Sequence, residues 1–239
     1  MASKKPIGHV FNKSLATAQS GAITRKPQMK ILLFNGSPHP NGCTYTALAE
    51  IAKTLKEEGV ESEIYQIGTG AITPCRACGA CAKLGKCVAS GDDVNNFVER
   101  AKGFDGFIFG SPVHYAAAAG GITAFLDRAF FVNAMCGKKA FEHKPASAIV
   151  SARRAGTTAA LEQLNKYMTI SQMPLISGRY WNMVHGRTPD EARQDLEGMQ
   201  NMRFLARNMA WHLKCREAAE KLGVKPPEQE DVVLTNFIR

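Results

Sequence analysis

The fold turns on one stretch, Lys30-Ile-Leu-Leu-Phe-Asn-Gly-Ser-Pro-His-Pro-Asn-Gly-Cys-Thr-Tyr-Thr46. Its first residues, Lys30 to Phe34, form a short apolar run without polar alternation, which predicts a strand buried on both faces. Asn35-Gly36-Ser37-Pro38 ends the run in a loop. From Thr46 to Glu58 the residues Leu48, Ile51, Ala52 and Leu55 then fall at helical spacing until Gly59 stops them. A strand that enters a helix through such a loop gathers hydroxyls and unpaired backbone N–H groups at the helix start. Free donors and the macrodipole both favour an anion there. The stretch reads as a phosphate loop, with plain capping by Ser37, Thr44 and Thr46 as the competing reading. Neither Gly-x-x-x-x-Gly-Lys nor Gly-x-Gly-x-x-Gly occurs, so it is neither a Walker loop nor a dinucleotide fingerprint.

The same alternation repeats outward. Glu61 to Ile67 predicts a second strand, and Asp92-Asp93 offers a cap to a helix bearing Val94, Phe97, Val98 and Ala101. Gly106 to Phe109 is a third strand that closes on Gly110-Ser111-Pro112, followed by a helix from Gly120 to Val132. Ala146 to Val150 is a fourth strand, Thr157 to Met168 a helix, and Leu175 to Trp181 a fifth strand. Thr188-Pro189-Asp190-Glu191 opens a helix that runs to about Leu222. Strands alternating with helices build βαβ units, hence an α/β fold with a parallel sheet covered on both faces. Ligands bind beyond the carboxyl ends of such strands, and the loops after strands one, three and four carry the Gly, Ser and polar residues.

With 239 residues, 45% of them hydrophobic, the chain has room for one domain plus extensions. Charges interrupt every apolar run before the ~18 residues a membrane span requires. Much of the net charge of +9 sits near the start, where Lys4, Lys5, Lys13, Arg25, Lys26 and Lys30 precede the first acidic residue, Glu50. Residues 1–28 therefore read as a basic extension. A transit-type segment is one reading, although Pro6, Gly8, Gly21 and Pro27 oppose a long amphipathic helix. The extension lacks the apolar core of a secretory signal, which makes the cytoplasm the expected location. No basic patch is interleaved with aromatics, so no nucleic-acid partner is expected, and the positive field suits phosphorylated small molecules.

Seven cysteines are present, and four of them, Cys75, Cys78, Cys81 and Cys87, fall within thirteen positions of a loop spanning about 74–91. An odd count with one tight cluster argues against a disulfide framework and for thiolate or metal chemistry. The spacing suits the corners of a [4Fe–4S] cube. Zn²⁺ held by four thiolates and four bare thiols remain as alternatives. Cys136 and Cys215 stand in apolar helical surroundings and are expected to be buried.

Asn35-Gly-Ser-Pro-His-Pro-Asn-Gly-Cys-Thr44, the second loop Gly110-Ser-Pro-Val-His-Tyr-Ala116, and Phe125-Leu-Asp-Arg128 together resemble the NAD(P)H-dependent FMN reductase family of the flavodoxin-like superfamily. The resemblance spans about Met29 to Trp181 and implies a flavodoxin-like, doubly wound, five-stranded parallel sheet of order 2-1-3-4-5. It places the FMN phosphate on Ser37, His39, Asn41, Gly42, Cys43 and Thr44. It sets the isoalloxazine ring against Pro112, Val113, His114 and Tyr115, with Ser151, Ala152, Arg153, Arg154 and Gly156 at the flavin edge. Three positions depart from the family pattern: His39, Cys43 and the pair Arg153-Arg154. Histidine is only partly charged near neutrality, which makes phosphate affinity pH-dependent. The arginines either stabilise reduced flavin, grip a nucleotide phosphate, or are simply solvated. His114 and Tyr115 are the proton donors expected beside the ring, though flavin N5 needs little help from them.

The cysteine run resembles that of the iron–sulfur flavoproteins of the same superfamily, in which a cluster exchanges electrons with FMN. Two functions follow. One is an enzyme in which NAD(P)H reduces FMN and FMN then reduces a quinone, azo or nitro compound, a free flavin or another acceptor. The other is a carrier in which ferredoxin feeds a [4Fe–4S] cluster at Cys75, Cys78, Cys81 and Cys87. A zinc-stabilised binding module is a third, non-redox reading. The expected domains are the extension 1–28, a flavin domain over 29–187, and a helix and tail over 188–239. Through that last segment the resemblance implies a homodimer or homotetramer.

Overall fold

A computed structural model describes residues 28–235 and Phe237. The expected N-terminal extension thus lies almost entirely outside the described residues, as does Ile238 of the apolar end. Strand β1 (Lys30–Asn35) leads to helix α1 (Cys43–Glu57) and β2 (Glu61–Gln66). The cysteine segment holds a short helix, α2 (Ala80–Leu84), and is followed by α3 (Val94–Ala101). β3 (Gly106–His114) folds back on the two-residue β4 (Ala117–Ala118) before α4 (Gly120–Met135). β5 (Ala146–Ala152), α5 (Thr157–Ile170), β6 (Met183–His185), α6 (Pro189–Gln194) and α7 (Leu196–Lys221) complete the order.

The main sheet is parallel, in the order β2-β1-β3-β5-β6, and β4 pairs antiparallel with β3. There are six strands rather than the expected five, but the added hairpin strand leaves the doubly wound order intact. Neighbouring side chains of β1 part to opposite faces, as strand geometry demands. Ile31 and Leu33 pack with α1 and α7, whereas Leu32 and Phe34 join α3, α4 and α5. Phe34, Phe97, Phe107, Phe109, Phe125 and Phe141 are fully buried and fill the second layer.

Three details differ from the sequence reading, each for a local reason. The expected strand from Leu175 to Trp181 meets β5 only at its start, through a parallel bridge from Leu175 to Ala146, and the ladder resumes as β6 at Met183, because side chains capture the intervening backbone. Asn201 Oδ1 accepts the amides of Arg179 and Tyr180, and Asn182 Oδ1 accepts that of Gly178. The long terminal helix breaks at Asp195, whose carboxylate caps the amide of Gly198 and also accepts that of His185. Cys215 is exposed rather than buried, and Cys136 is half-buried. Leu213 ends the buried stripe of α7, and two residues further round a 3.6-residue turn is solvent.

The carboxyl ends of β1 and β3 meet closely. The amide of Gly36 donates to Gly110 O at 2.8 Å, and a Cβ on Gly36 would stand 2.5 Å from Ile122 Cδ1 and 2.8 Å from that same carbonyl. Gly36→Ala is expected to cost about 1–3 kcal/mol through overpacking, read as a lower urea midpoint with an unchanged slope; an unshifted midpoint contradicts the contact.

Candidate functional site

The loops after β1, β3, β5 and β6 enclose a cavity of about 570 Å³ beyond the carboxyl ends of the strands. The first loop is held rigid from beneath. Asn35, wholly buried, donates to Gln66 Oε1 and accepts the amide of Ser37, while Gln66 Nε2 donates to Ser37 O at 2.7 Å. Ser37 Oγ then accepts the amide of His39 at 3.1 Å. α1 starts immediately after, at Cys43, with Gly42 as its cap and no acidic residue in its first turn. Its opening amides have no carbonyl one turn back to bond, so they are donors available to an anion.

Thr44 and Ser151 bring the β1 and β5 loops together through a buried hydroxyl pair 2.8 Å apart. Cys43 Sγ donates to Gly186 O at 3.4 Å, which ties the helix start to the loop after β6. Burial raises the pKa of the Cys43 thiol, the Glu191 charge adds to this, and its own backbone amide opposes it.

Most of the expected residues converge on this cavity. Ser37, His39, Asn41, Gly42, Cys43 and Thr44 line it from the first loop, Pro112, Val113 and His114 from the second, and Ser151, Ala152 and Arg153 from the third. Three expected residues do not line it. Tyr115 sits at the tip of the β3–β4 hairpin with φ +58°, its side chain fully exposed. A tight turn needs one residue in the left-handed region, and tyrosine occupies it here. Arg154 is exposed beside Arg153. Gly156 (φ +90°) lies behind the lining, where a Cβ would stand 3.0 Å from Val113 Cγ1. Pro40, Gly186, Arg187 and Pro189 also line the cavity, and the sequence reading missed them. The last three follow the short edge strand whose position was misread.

The four clustered cysteines line a second, smaller pocket together with Arg128, Phe131 and Val132 of α4. Arg128 lies at its base, 1% exposed, and forms a buried ion pair with Asp92. Its Nη1 donates to Thr73 O, its Nη2 to Ala89 O and its Nε to Cys87 Sγ at 3.2 Å. Asp92 Oδ2 accepts the amide of Thr73 at 3.4 Å, so the pair clamps both ends of the cysteine segment. Asn95 fixes Cys87 from the other side, accepting its amide and donating to its carbonyl at 2.8 and 2.9 Å. The expected capping role of Asp92-Asp93 is accordingly minor. Asp93 Oδ2 accepts the Tyr65 hydroxyl, and Asp92 serves chiefly as the counter-ion. Removing one partner of such a pair strands a buried charge at a cost of about 3–5 kcal/mol.

Among the described residues, no three His, Cys, Asp or Glu side chains converge on a single-ion position. Cys75 and Cys78 are exposed, whereas Cys81 is buried. Burial raises the Cys81 thiol pKa, and the neighbouring Cys136, which donates to Cys81 O, raises it further. Arg128, Phe131 and Val132 of α4 line the cysteine pocket, whereas no residue of that helix lines the main cavity; α4 starts at Gly120, just after the β3–β4 hairpin. Arg128 is eight residues on, or about 12 Å along the axis.

The chain matches the NADPH-dependent FMN reductase family over residues 29–188. It belongs to that family. That family is one of FMN-binding flavoprotein oxidoreductases. Among curated relatives, the iron–sulfur flavoprotein of Methanocaldococcus jannaschii is 26% identical over 193 residues, covering 76% of this chain and 96% of that one. The iron–sulfur flavoprotein of Methanosarcina thermophila is 26% identical over 185 residues, covering 76% and 93%. Among solved structures, RosB, crystallised with 8-demethyl-8-formylriboflavin-5'-phosphate, superposes with a TM-score of 0.62 at 12% identity over 88% of this chain and 92% of that one. That likeness concerns the fold alone. No helix among the described residues is long and apolar enough to cross a membrane.

Thiol reactivity checks the site geometry. In reduced, metal-free protein at about pH 8, iodoacetamide is expected to modify exposed Cys75, Cys78 and Cys215 first. Cys43 should react about tenfold more slowly, since only the thiolate attacks. Because burial raises its pKa, its rate should climb with pH. Peptide mass spectrometry giving equal rates contradicts this.

Proposed function

We propose that the chain is an FMN-dependent redox protein in which Cys75, Cys78, Cys81 and Cys87 hold a [4Fe–4S] cluster that exchanges electrons with FMN in the main cavity. The observation that carries this reading is the presence of two pockets in one chain: a cavity at the strand ends and a four-cysteine pocket closed by a buried arginine.

The cavity fits the flavin nucleotide in size and chemistry. Its volume lies within the ~300–1,000 Å³ usual for small-molecule sites, and one end is the start of α1. Ser37, His39, Asn41, Gly42, Cys43 and Thr44 would hold the phosphate through hydroxyls and free amides. Pro112, Val113 and His114 would lie along the ring, with Ser151, Ala152 and Arg153 at its polar edge. Arg153 would present a cation to the bound flavin, whose reduced form carries negative charge.

A cluster and a lone zinc ion make different demands on four cysteines. Four thiolates on Zn²⁺ all stand about 2.3 Å from one centre, whereas a cube takes one thiolate at each of four irons and so spreads its ligands. The four cysteines line a common pocket. The curated relatives are themselves named iron–sulfur flavoproteins. When bound, FMN supplies hydride or single-electron exchange at N5 and the cluster supplies single-electron steps. The protein's part is to anchor the phosphate, seat the ring, and fix the cysteine segment to α4.

A second reading makes NAD(P)H the direct donor, with FMN then reducing a quinone, azo or nitro compound. Two arginines, Arg153 and Arg187, line the open cavity and favour this reading, because they suit the phosphates of an incoming nucleotide. Ferredoxin is the donor expected under the first reading. Segment 188–239 is proposed as an oligomer contact of a homodimer or homotetramer, since Val232, Val233, Leu234 and Phe237 are all exposed.

Anaerobic purification tests the main reading. About four irons, four sulfides and one FMN per chain are expected, and Cys78→Ser should lose the iron yet keep the flavin. Iron-free protein with full FMN that is bleached by NADPH overturns the cluster and leaves the second reading.

A further inference from the structure

We infer that Arg128 is a positioning residue that raises the reduction potential of the centre held by the four cysteines, an inference that rests on the cluster reading above. A buried guanidinium has to find partners for its donors. A guanidinium has five N–H groups in a rigid fork and does not lose its charge in proteins. Four contacts occupy the Arg128 fork: the carboxylate of Asp92, the carbonyls of Thr73 and Ala89, and Cys87 Sγ. Three of these fix the fork in place. The fourth, from Nε at 3.2 Å, points at a ligand sulfur.

That last contact is not needed to hold the loop. Cys87 is already pinned through its backbone by both ends of the Asn95 amide. Thr73 and Asp92, at the two ends of the cysteine segment, are joined directly by a hydrogen bond. The Nε–H to Sγ contact therefore acts on the sulfur rather than on the chain path. Each electron added to an iron–sulfur centre increases the negative charge on its sulfurs. Hydrogen bonds to those sulfurs and the net charge beside them are the protein's main controls on potential. A donor carrying a full positive charge, buried where water does not screen it, stabilises the reduced form more than the oxidised form. The potential rises accordingly. Asp92 offsets part of the charge, but it bonds Nη1, on the far side of the fork from Cys87. The carbonyl oxygens of Thr73 and Ala89 also face the guanidinium, and both are neutral.

The test compares wild type, Arg128→Lys and the double variant Asp92→Asn/Arg128→Gln, all reconstituted anaerobically with iron and sulfide. The double variant leaves the pair neutral overall, as in wild type, so it isolates the local donor from net charge. Iron content is measured first, then the potential by mediator titration followed by electron paramagnetic resonance. With iron retained, the double variant is expected to favour the oxidised form at least about tenfold relative to wild type, ~59 mV for a one-electron couple. Arg128→Lys, which keeps the charge but loses the fork, should shift about threefold in the same direction. Should the double variant fail to take up iron, the lysine variant alone carries the comparison. Iron-loaded variants whose potentials match wild type overturn the inference and leave the cluster reading standing. A wild type that takes up no iron overturns both.

Discussion

The close meeting of β1 and β3 at their carboxyl ends is the constraint from which the site follows. In a doubly wound sheet the chain leaves these strands in opposite directions, which opens a crevice between the loops. Gly36 lets the two strand ends approach to hydrogen-bonding distance, with Ile122 of α4 filling the space a side chain would occupy. Asn35 and Gln66 then brace the first loop from inside the sheet, so α1 begins directly over the crevice. The cavity is thus a product of backbone packing. The side chains that line it are added to a shape already set.

α4 carries that order to a second location. Its start is fixed by the β3–β4 hairpin at the crevice, and two turns later Arg128 closes the cysteine pocket. A buried arginine is expensive unless every donor is used and its charge is matched. Here Asp92 supplies the charge and two carbonyls supply acceptors, all from the segment bearing the cysteines. One residue on a core helix therefore orders some twenty residues of otherwise irregular chain. This explains how a segment with little regular structure keeps four sulfurs around one pocket.

The strands and helices up to α5 were legible because buried parallel strands and amphipathic helices leave different periods in the sequence. The first and third loops were legible because Gly, Ser and Thr cluster where a strand feeds a helix. The edge strand was misread because Leu175 to Trp181 has strand-like composition, while Asn201, on a helix twenty residues away, captures its backbone. That misreading hid Gly186, Arg187 and Pro189 from the site. Asp195 was missed as a helix break because an interior aspartate looks like any exposed polar residue. The role of Arg128 was unreadable for a similar reason, since its partner is thirty-six positions away. Nothing in one sequence says that two charges so separated are buried together.

Comparing FMN with riboflavin tests most directly whether the proposed flavin is anchored by its phosphate. Fluorescence-quenching titration of flavin-free protein should give FMN a dissociation constant at least about a hundredfold lower than that of riboflavin, or ~2.7 kcal/mol. Equal affinity for the two flavins would contradict the assignment of the β1–α1 loop as the phosphate site, and the cavity would then need another ligand.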